Sequence, residues 1–297
     1  MAIRIGISGW RYAPWRGVFY PPALPQRCEL EYAARLFPSI EINGSFYSLQ
    51  SPSSWQAWYE ATPGHFVFSV KGPRFITHIL RLRGADTALA NFYASGVLLL
   101  REKLGPMLWQ FPPNFRYQRE RMARFFDLLP HDTSAALRLA RKRDARLKGR
   151  ARLAIDEQRP LRHAVEIRHE SFVDASFFEL LRERNIALVI AETAKRWPMP
   201  LDITADFVYM RLHGDKELYR SGYSSKALDR WADRIRKWSR LREVYCYFDN
   251  TDVKLRAPVD AQTLMRKLGL PRGSGISLTG SRQFAAYRRT SDAHRPP

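Results

Sequence analysis

Side chains able to do chemistry recur in this chain at one kind of place, the ends of short β-rich runs. Ser8 closes a run over 3–8, Glu41 and Asn43 close 39–43, Lys71 closes 65–71, and Gln110 lies in 107–111. Glu166 and Arg168 end 164–168 with His169 next, and Glu192 follows 186–190. Arg211 and His213 end or follow 207–212, and Asp249 and Asn250 follow 244–248. Successive side chains alternate across a strand, so Glu41 with Asn43, Glu166 with Arg168, and Arg211 with His213 project to a common side. Acids, bases and cations gathered in one partly dry cavity push pKa values toward working pH and raise the potential for an anion.

These residue types suit acid–base work on an anionic small molecule, phosphorylated or carboxylated, with a sugar-like body among the candidates. Glu41 or Glu166 fits a general base, with His169 or His213 as acid partner, and the residues alone leave the choice open. Arg168 and Arg211 carry the fork that grips carboxylate or phosphate. Lys71 is a point charge for the same task or, when dehydrated, a base or Schiff-base amine. The expected catalytic set is Glu41, Lys71, Glu166 and His213. The expected substrate-binding set is Ser8, Trp10, Tyr12, Asn43, Gln110, Arg168, His169, Arg211, Asp249 and Asn250.

For any single pair, such as Glu166 with Arg168 or Glu41 with Lys71, a salt bridge holding the rim loops is the simpler reading. The accumulation points to a site, because burying many ionisable groups costs free energy that apolar residues would avoid. A divalent metal is the alternative ligand: Glu41, Glu166, His169, His213 and Asp249 offer donors for Mg, Mn or Zn, though without HxH or HExxH spacing. Aromatic residues over 9–20 and at Phe46-Tyr47 either wall a ligand or cap the site against water. Trp55 and Trp58, three apart on a helix, read as core.

The elements that must position these groups alternate from end to end. Amphipathic stretches at 30–37, 55–59, 86–104, 119–129, 174–184, 227–238 and 261–268 separate the strands. Asp86, Ser225 and the 51–54 Ser-Pro-Ser-Ser stretch supply capping chemistry. Eight strands joined by crossover segments give the α/β class and a single (β/α)8 TIM barrel over 1–270. Gly6-Ile7-Ser8-Gly9 fits neither dinucleotide nor P-loop spacing. A basic helical insertion at 131–162, with a helix over 134–147, separates strands four and five. From Arg138 to Arg162 it holds ten basic and three acidic residues. A polar tail, 271–297, is expected to be flexible.

Composition removes other classes. An apolar share of 45% excludes a disordered chain, and two distant cysteines exclude a disulfide scaffold and a cysteine zinc site. No apolar run approaches the roughly 18 residues of a membrane span, and the N-terminus lacks a signal-peptide pattern, so a cytoplasmic location is expected. Lys and Arg number 49 against 29 Asp and Glu, a net +20 that gives sequence-independent attraction to phosphate. Nucleic acid contacted through the insertion is therefore an alternative partner. A metal-dependent hydrolase or endonuclease-like barrel and a non-catalytic nucleic-acid binder are the two competing functions. Isomerase, lyase and hydrolase chemistry stay open within the first.

The chain resembles the proteins of domain of unknown function 72, also called YecE-like. The likeness rests on Ser8-Gly9-Trp10-x-Tyr12, Trp15-x-Gly17-x-Phe19-Tyr20-Pro21, Glu41-Ile42-Asn43 with Phe46-Tyr47, and Phe68-Ser69-Val70-Lys71 with Thr77-His78. It continues through Gln110-x-Pro112-Pro113, Val165-Glu166-x-Arg168-His169-x-Ser171-Phe172, Tyr209-x-Arg211-Leu212-His213-Gly214 and Tyr247-Phe248-Asp249-Asn250. The resemblance implies a TIM barrel and carries no reaction with it.

Overall fold

The computed structural model describes residues 1–249 and 255–271. Asn250 and nearly all of the 271–297 tail lie outside the described residues. Eight parallel strands pair in sequence order: β1 (Ile3–Ser8), β2 (Ser39–Ile42), β3 (Val67–Lys71), β4 (Leu104–Gln110), β5 (His163–Glu166), β6 (Ala187–Glu192), β7 (Phe207–Leu212) and β8 (Glu243–Phe248). β1 returns to pair with β8, so the sheet closes as a (β/α)8 barrel, the expected fold.

Strand parity divides the apolar residues into two cores, as a barrel buried on both faces requires. Ile5, Ile7, Ile40, Ile42, Phe68, Val70, Trp109, Val165, Met210 and Phe248 join the core under the helices. Their alternates, Val67, Leu108, Ala164, Ala187, Val189, Tyr209, Tyr245 and Tyr247, fill the barrel itself. Two tyrosines cross the lumen to serines of other strands: Tyr209 Oη lies 2.5 Å from Ser69 Oγ, and Tyr247 Oη 2.7 Å from Ser39 Oγ. Alanines on β5 and β6 leave room for these rings, and the plugged lumen is the floor on which the next inward row stands. Gly6 belongs to this tight packing, since a Cβ there would lie 2.0 Å from the Ser39 carbonyl oxygen. Gly6→Ala is expected to cost about 1–3 kcal/mol by overpacking, read as a lower urea midpoint.

The outer layer holds α1 (Glu29–Leu36), α2 (Gly44–Tyr47), α3 (Pro52–Glu60), α4 (Asp86–Ala94), α5 (Arg119–Leu128), α6 (Thr133–Ala140), α7 (Ala175–Glu183), α8 (Ser225–Ser239) and α9 (Arg256–Lys267). Ser51 caps α3 by accepting from the Ser54 amide at 3.1 Å, ahead of Pro52 in the first turn. The caps of α4 and α8 fall one residue before those expected, at Ala85 and Ser224. Trp55 is fully buried, with the Trp58 ring edge-on at 5.0 Å, the core role expected of the pair.

Two expected helices are shorter than their periodicity suggests. The 86–104 segment breaks at Gly96, whose φ of 104° few other residues tolerate; a 3₁₀ stretch over Val97–Lys103 follows, and β4 begins at Leu104. The 134–147 helix ends at Ala140, and Asp144 starts a separate 3₁₀ turn by accepting from the Arg146 amide at 3.0 Å. The basic insertion is docked rather than projecting. Ala136 and Ala140 are buried, the Asp144 amide donates to Asn91 Oδ1 at 3.1 Å, and the Arg152 amide donates to the Ala94 carbonyl at 2.8 Å. Arg159 pairs with Asp156 and Glu157, while Arg141, Lys142, Lys148 and Arg150 remain exposed. Among the described residues no helix is long and apolar enough to cross a membrane.

Candidate functional site

The inward row above the tyrosines collects Ser8, Glu41, Lys71, Gln110, Glu166 and Arg211, each the last inward position of its strand, at the C-terminal rim where barrel sites form. Arg211 is the hub. Its guanidinium is fully buried and donates to both Glu41 oxygens from Nε (3.1 and 3.2 Å), to Glu166 Oε2 from Nη1 (2.6 Å), and to Asp249 Oδ2 from Nη2 (2.8 Å). Nη2 also reaches Glu41 Oε1 at 2.9 Å and Ser8 Oγ at 3.3 Å. Glu41 takes two more donors, the Ser8 hydroxyl and Tyr209 Oη, the latter at 2.6 Å, and Asn43 Nδ2 donates to Ser8 Oγ at 2.8 Å.

Electrostatics follow from this count. Burial alone would raise the Glu166 carboxyl, but Arg211 and then Arg168 hold it well below the usual carboxylate range. Asp249 is held down in the same way, by Arg211 and by His213, whose Nδ1 lies 3.1 Å from Asp249 Oδ2. Burial would lower the Arg211 guanidinium, and the carboxylates Glu41, Asp249 and Glu166 reverse that and keep it charged. Burial and the Arg211 charge push the His213 imidazole down, toward its neutral form.

Lys71 is different. It is buried with its Nζ 4.1 Å from the Phe46 ring centroid, and among the described residues its ammonium makes no hydrogen bond or ion pair. Burial and then Arg211 bring its pKa down to about 8, against the pull of Glu166, Asp249 and Glu41. Arg168, just beyond β5, donates from Nε to Glu166 Oε1 at 2.8 Å and from Nη2 to Tyr219 Oη at 3.2 Å, and its guanidinium stacks 4.0 Å from the Trp197 ring. Its Nη1 donates to no residue among those described. Asn43 Oδ1 and Gln110 Oε1 are buried without a hydrogen-bond partner, which buried polar atoms rarely are.

The structure thus brings together Ser8, Glu41, Asn43, Lys71, Gln110, Glu166, Arg168, Arg211, His213 and Asp249. Three expected residues stand elsewhere or outside it. Trp10 packs edge-on against Trp58 at 5.3 Å, and Tyr12 Oη donates to the Ser8 carbonyl at 2.6 Å, so both are tied into the loop after β1. His169 caps the turn Glu170–Phe172, its Nδ1 accepting from the Ser171 amide at 3.1 Å. It lines, with Arg168, Trp197 and Glu192, a neighbouring cleft of about 840 Å³. Burial holds the Glu192 carboxyl above its ordinary value, despite the 2.6 Å hydrogen bond from Trp231 Nε1.

Three neighbours of the site had no role in the sequence reading, although Tyr209 and His78 stand in the motifs that carry the resemblance. Tyr209 shares the parity of Arg211 two residues on, a signal available in the strand pattern. His78 follows β3 in a π-helical turn, Phe75–Ile79, and packs edge-on against Phe46 at 5.1 Å. Burial, then Lys71 and Arg168, bring its pKa down to about 4, so it is a neutral imidazole. Tyr219 packs edge-on against His213 at 5.2 Å from an irregular loop that no periodicity marks. The donor set does not fit a metal: among the described residues no three His, Cys, Asp or Glu side chains are disposed around one ion, and the guanidinium of Arg211 takes the carboxylates instead.

A closed parallel barrel with a buried polar constellation at the C-terminal ends of its strands defines a (β/α)8 protein with a rim site. The sequence pattern of the family described as protein of unknown function DUF72 matches residues 4–281, and the chain belongs to that family. It is 24% identical over 271 residues to the UPF0759 protein YecE of Escherichia coli K12, covering 90% of this chain and 92% of that one. Identity to the UPF0759 protein YunF of Bacillus subtilis is 32% over 128 residues, 41% of this chain and 44% of YunF. The crystal structure of a DUF72 protein from Thermotoga maritima superposes with a TM-score of 0.72 at 25% identity, covering 91% of this chain and all of that one. A DUF72 protein from Enterococcus faecalis gives 0.69 at 18% identity over 93% of this chain and 99% of its own, a likeness of fold.

Proposed function

We propose that the rim binds a small molecule bearing phosphate or carboxylate and acts on it by acid–base chemistry, with Arg168 and Lys71 as anion holders and Lys71 as the group that moves a proton. The observation that carries this reading is how the charges are spent. Glu41, Glu166 and Asp249 all bond to Arg211, so Arg211 has no donor to spare for a ligand, while Lys71 Nζ has no acceptor among the described residues. This reassigns two expected roles. Arg211 becomes the rigid support of the site, and Glu41 and Glu166, with every oxygen already bonded, give way as general base to Lys71. A proton-transfer group works best with a pKa near working pH, and about 8 for Lys71 satisfies that.

The unpartnered acceptors Asn43 Oδ1 and Gln110 Oε1 suit ligand hydroxyls, in keeping with a sugar-like body on the anion. His78 and His213, both favoured as neutral imidazoles, supply further donors or acceptors. Thermal-shift screening with phosphorylated and carboxylated metabolites, each with and without Mg or Mn, tests the reading. A ligand at about 100 times its Kd should add about 2.7 kcal/mol to native stability. Arg168→Gln should remove most of that shift. A shift that Arg168→Gln leaves intact, or one seen only with the metals, would count against it.

A further inference from the structure

We propose that Lys71 is a covalent nucleophile, and that the anionic substrate of this rim is an aldehyde or ketone which Lys71 captures as an imine. This rests on the acid–base reading of the same site and names its substrate class. The contrast within the chain is with Lys103, also buried. Lys103 Nζ donates to the carbonyls of Tyr59 and Thr62, each at 2.6 Å, and to Thr62 Oγ1 at 3.2 Å, as a structural lysine does. Among the described residues Lys71 Nζ makes no such bond. It lies against the Phe46 ring, and the carboxylates around it are already committed to Arg211.

An ammonium so placed has little to lose by shedding its proton, and the neutral amine has a lone pair that nothing in the described structure occupies. Capture is balanced as follows. The ammonium first gives one proton to solvent. The Nζ lone pair bonds to the carbonyl carbon while the C–O π pair moves to oxygen, which takes a proton released from nitrogen. The carbinolamine then expels that oxygen as water with the second nitrogen hydrogen, leaving C=N. Protonation of the imine from solvent places a cation where the ammonium stood, within the field of Glu166, Asp249 and Glu41, the same groups that favour a charge on Lys71. An iminium withdraws electrons from the adjacent carbon, so the acid–base step becomes proton removal there; with Lys71 bound in the imine, the proton passes to the neutral imidazole of His78, which lies within the field of Lys71. Arg168 holds the anionic end.

The test incubates the full chain with dihydroxyacetone phosphate, or with pyruvate, and cyanoborohydride at pH 7.5, followed by peptide mass mapping of all ten lysines. The expected adduct is confined to Lys71 by more than about tenfold, because an exposed lysine with its usual pKa of about 10.4 is almost wholly protonated at that pH. Lys71→Arg keeps the charge but cannot form an imine, and should give no localised adduct. Labelling spread over surface lysines, or no adduct with either probe, overturns the proposal. Thermal protection by the probes without reductant, alongside an unmodified Lys71, overturns the imine and leaves the acid–base reading standing. Neither protection nor adduct overturns both.

Discussion

Arg211→Met is expected to cost the folded barrel about 3–5 kcal/mol, the largest loss of any single rim substitution. For a domain of this size that is a fall in Tm of about 6–20 °C. The guanidinium is fully buried and bonds to three carboxylates, and removing it leaves the fully buried Glu41 and Glu166 and the half-buried Asp249 facing one another. The loss is the cost of stranded charge rather than the net worth of the ion pairs, so it should shrink when a carboxylate is neutralised too. Arg211→Met with Glu166→Gln should be less destabilised than the sum of the two single variants. Urea unfolding of the four proteins checks both statements. A loss under about 1 kcal/mol for Arg211→Met would mean that the carboxylates find other support.

Lys71→Met should move stability in the opposite direction while abolishing ligand capture. The Lys71 pKa is lowered from 10.5 to about 8 in the folded chain. Below pH 8 both folded and unfolded states carry the proton, and the folded state bears the full cost of holding an unpaired ammonium out of water. Between about 8 and 10.5 the folded state sheds its proton first, and the penalty fades as pH rises. Lys71→Met should therefore be more stable than the parent at pH 7 by up to about 3 kcal/mol, with the advantage gone near pH 10.5. Denaturant midpoints of the two proteins from pH 7 to 10.5 give the comparison directly. A substitution at pH 7 that destabilises by 2 kcal/mol or more would show that Lys71 has a structural partner. A gain in stability with loss of function is the pattern of a strained functional group.

The convergence of the polar strand ends was legible because a parity of two leaves no choice. Once Ile40 and Ile42 face the helices, Glu41 must face the lumen, and the same logic aligns Lys71 with Ser69 and Arg211 with Tyr209. The division of labour was not legible. Which carboxylate meets which cation depends on the reach of side chains across the barrel, and nothing in the spacing says that Arg211 takes three carboxylates and leaves Lys71 none. For Trp10 and Tyr12 the sequence leaves ligand wall and water cap equally open, and that the Tyr12 hydroxyl turns back to donate to the Ser8 carbonyl depends on the path of the loop, which no spacing gives. The break at Gly96 was hidden because apolar residues continue on both sides of it, so periodicity alone runs through. Residues 193–206, between β6 and β7, form no helix and supply much of the cleft beside Arg168, and no pattern announced that cleft.

Titration calorimetry with sulfate from pH 6 to 9.5 tests most directly whether the rim receives an anion. Sulfate keeps its charge across that range, so any change in affinity belongs to the protein. One site per chain is expected, with affinity falling as the pH passes about 8 and Lys71 loses its proton, and with both the site and its pH dependence lost in Lys71→Met. Absence of a stoichiometric site, or one whose affinity is flat with pH and unchanged in Lys71→Met, would contradict an anion-receiving rim built on Lys71.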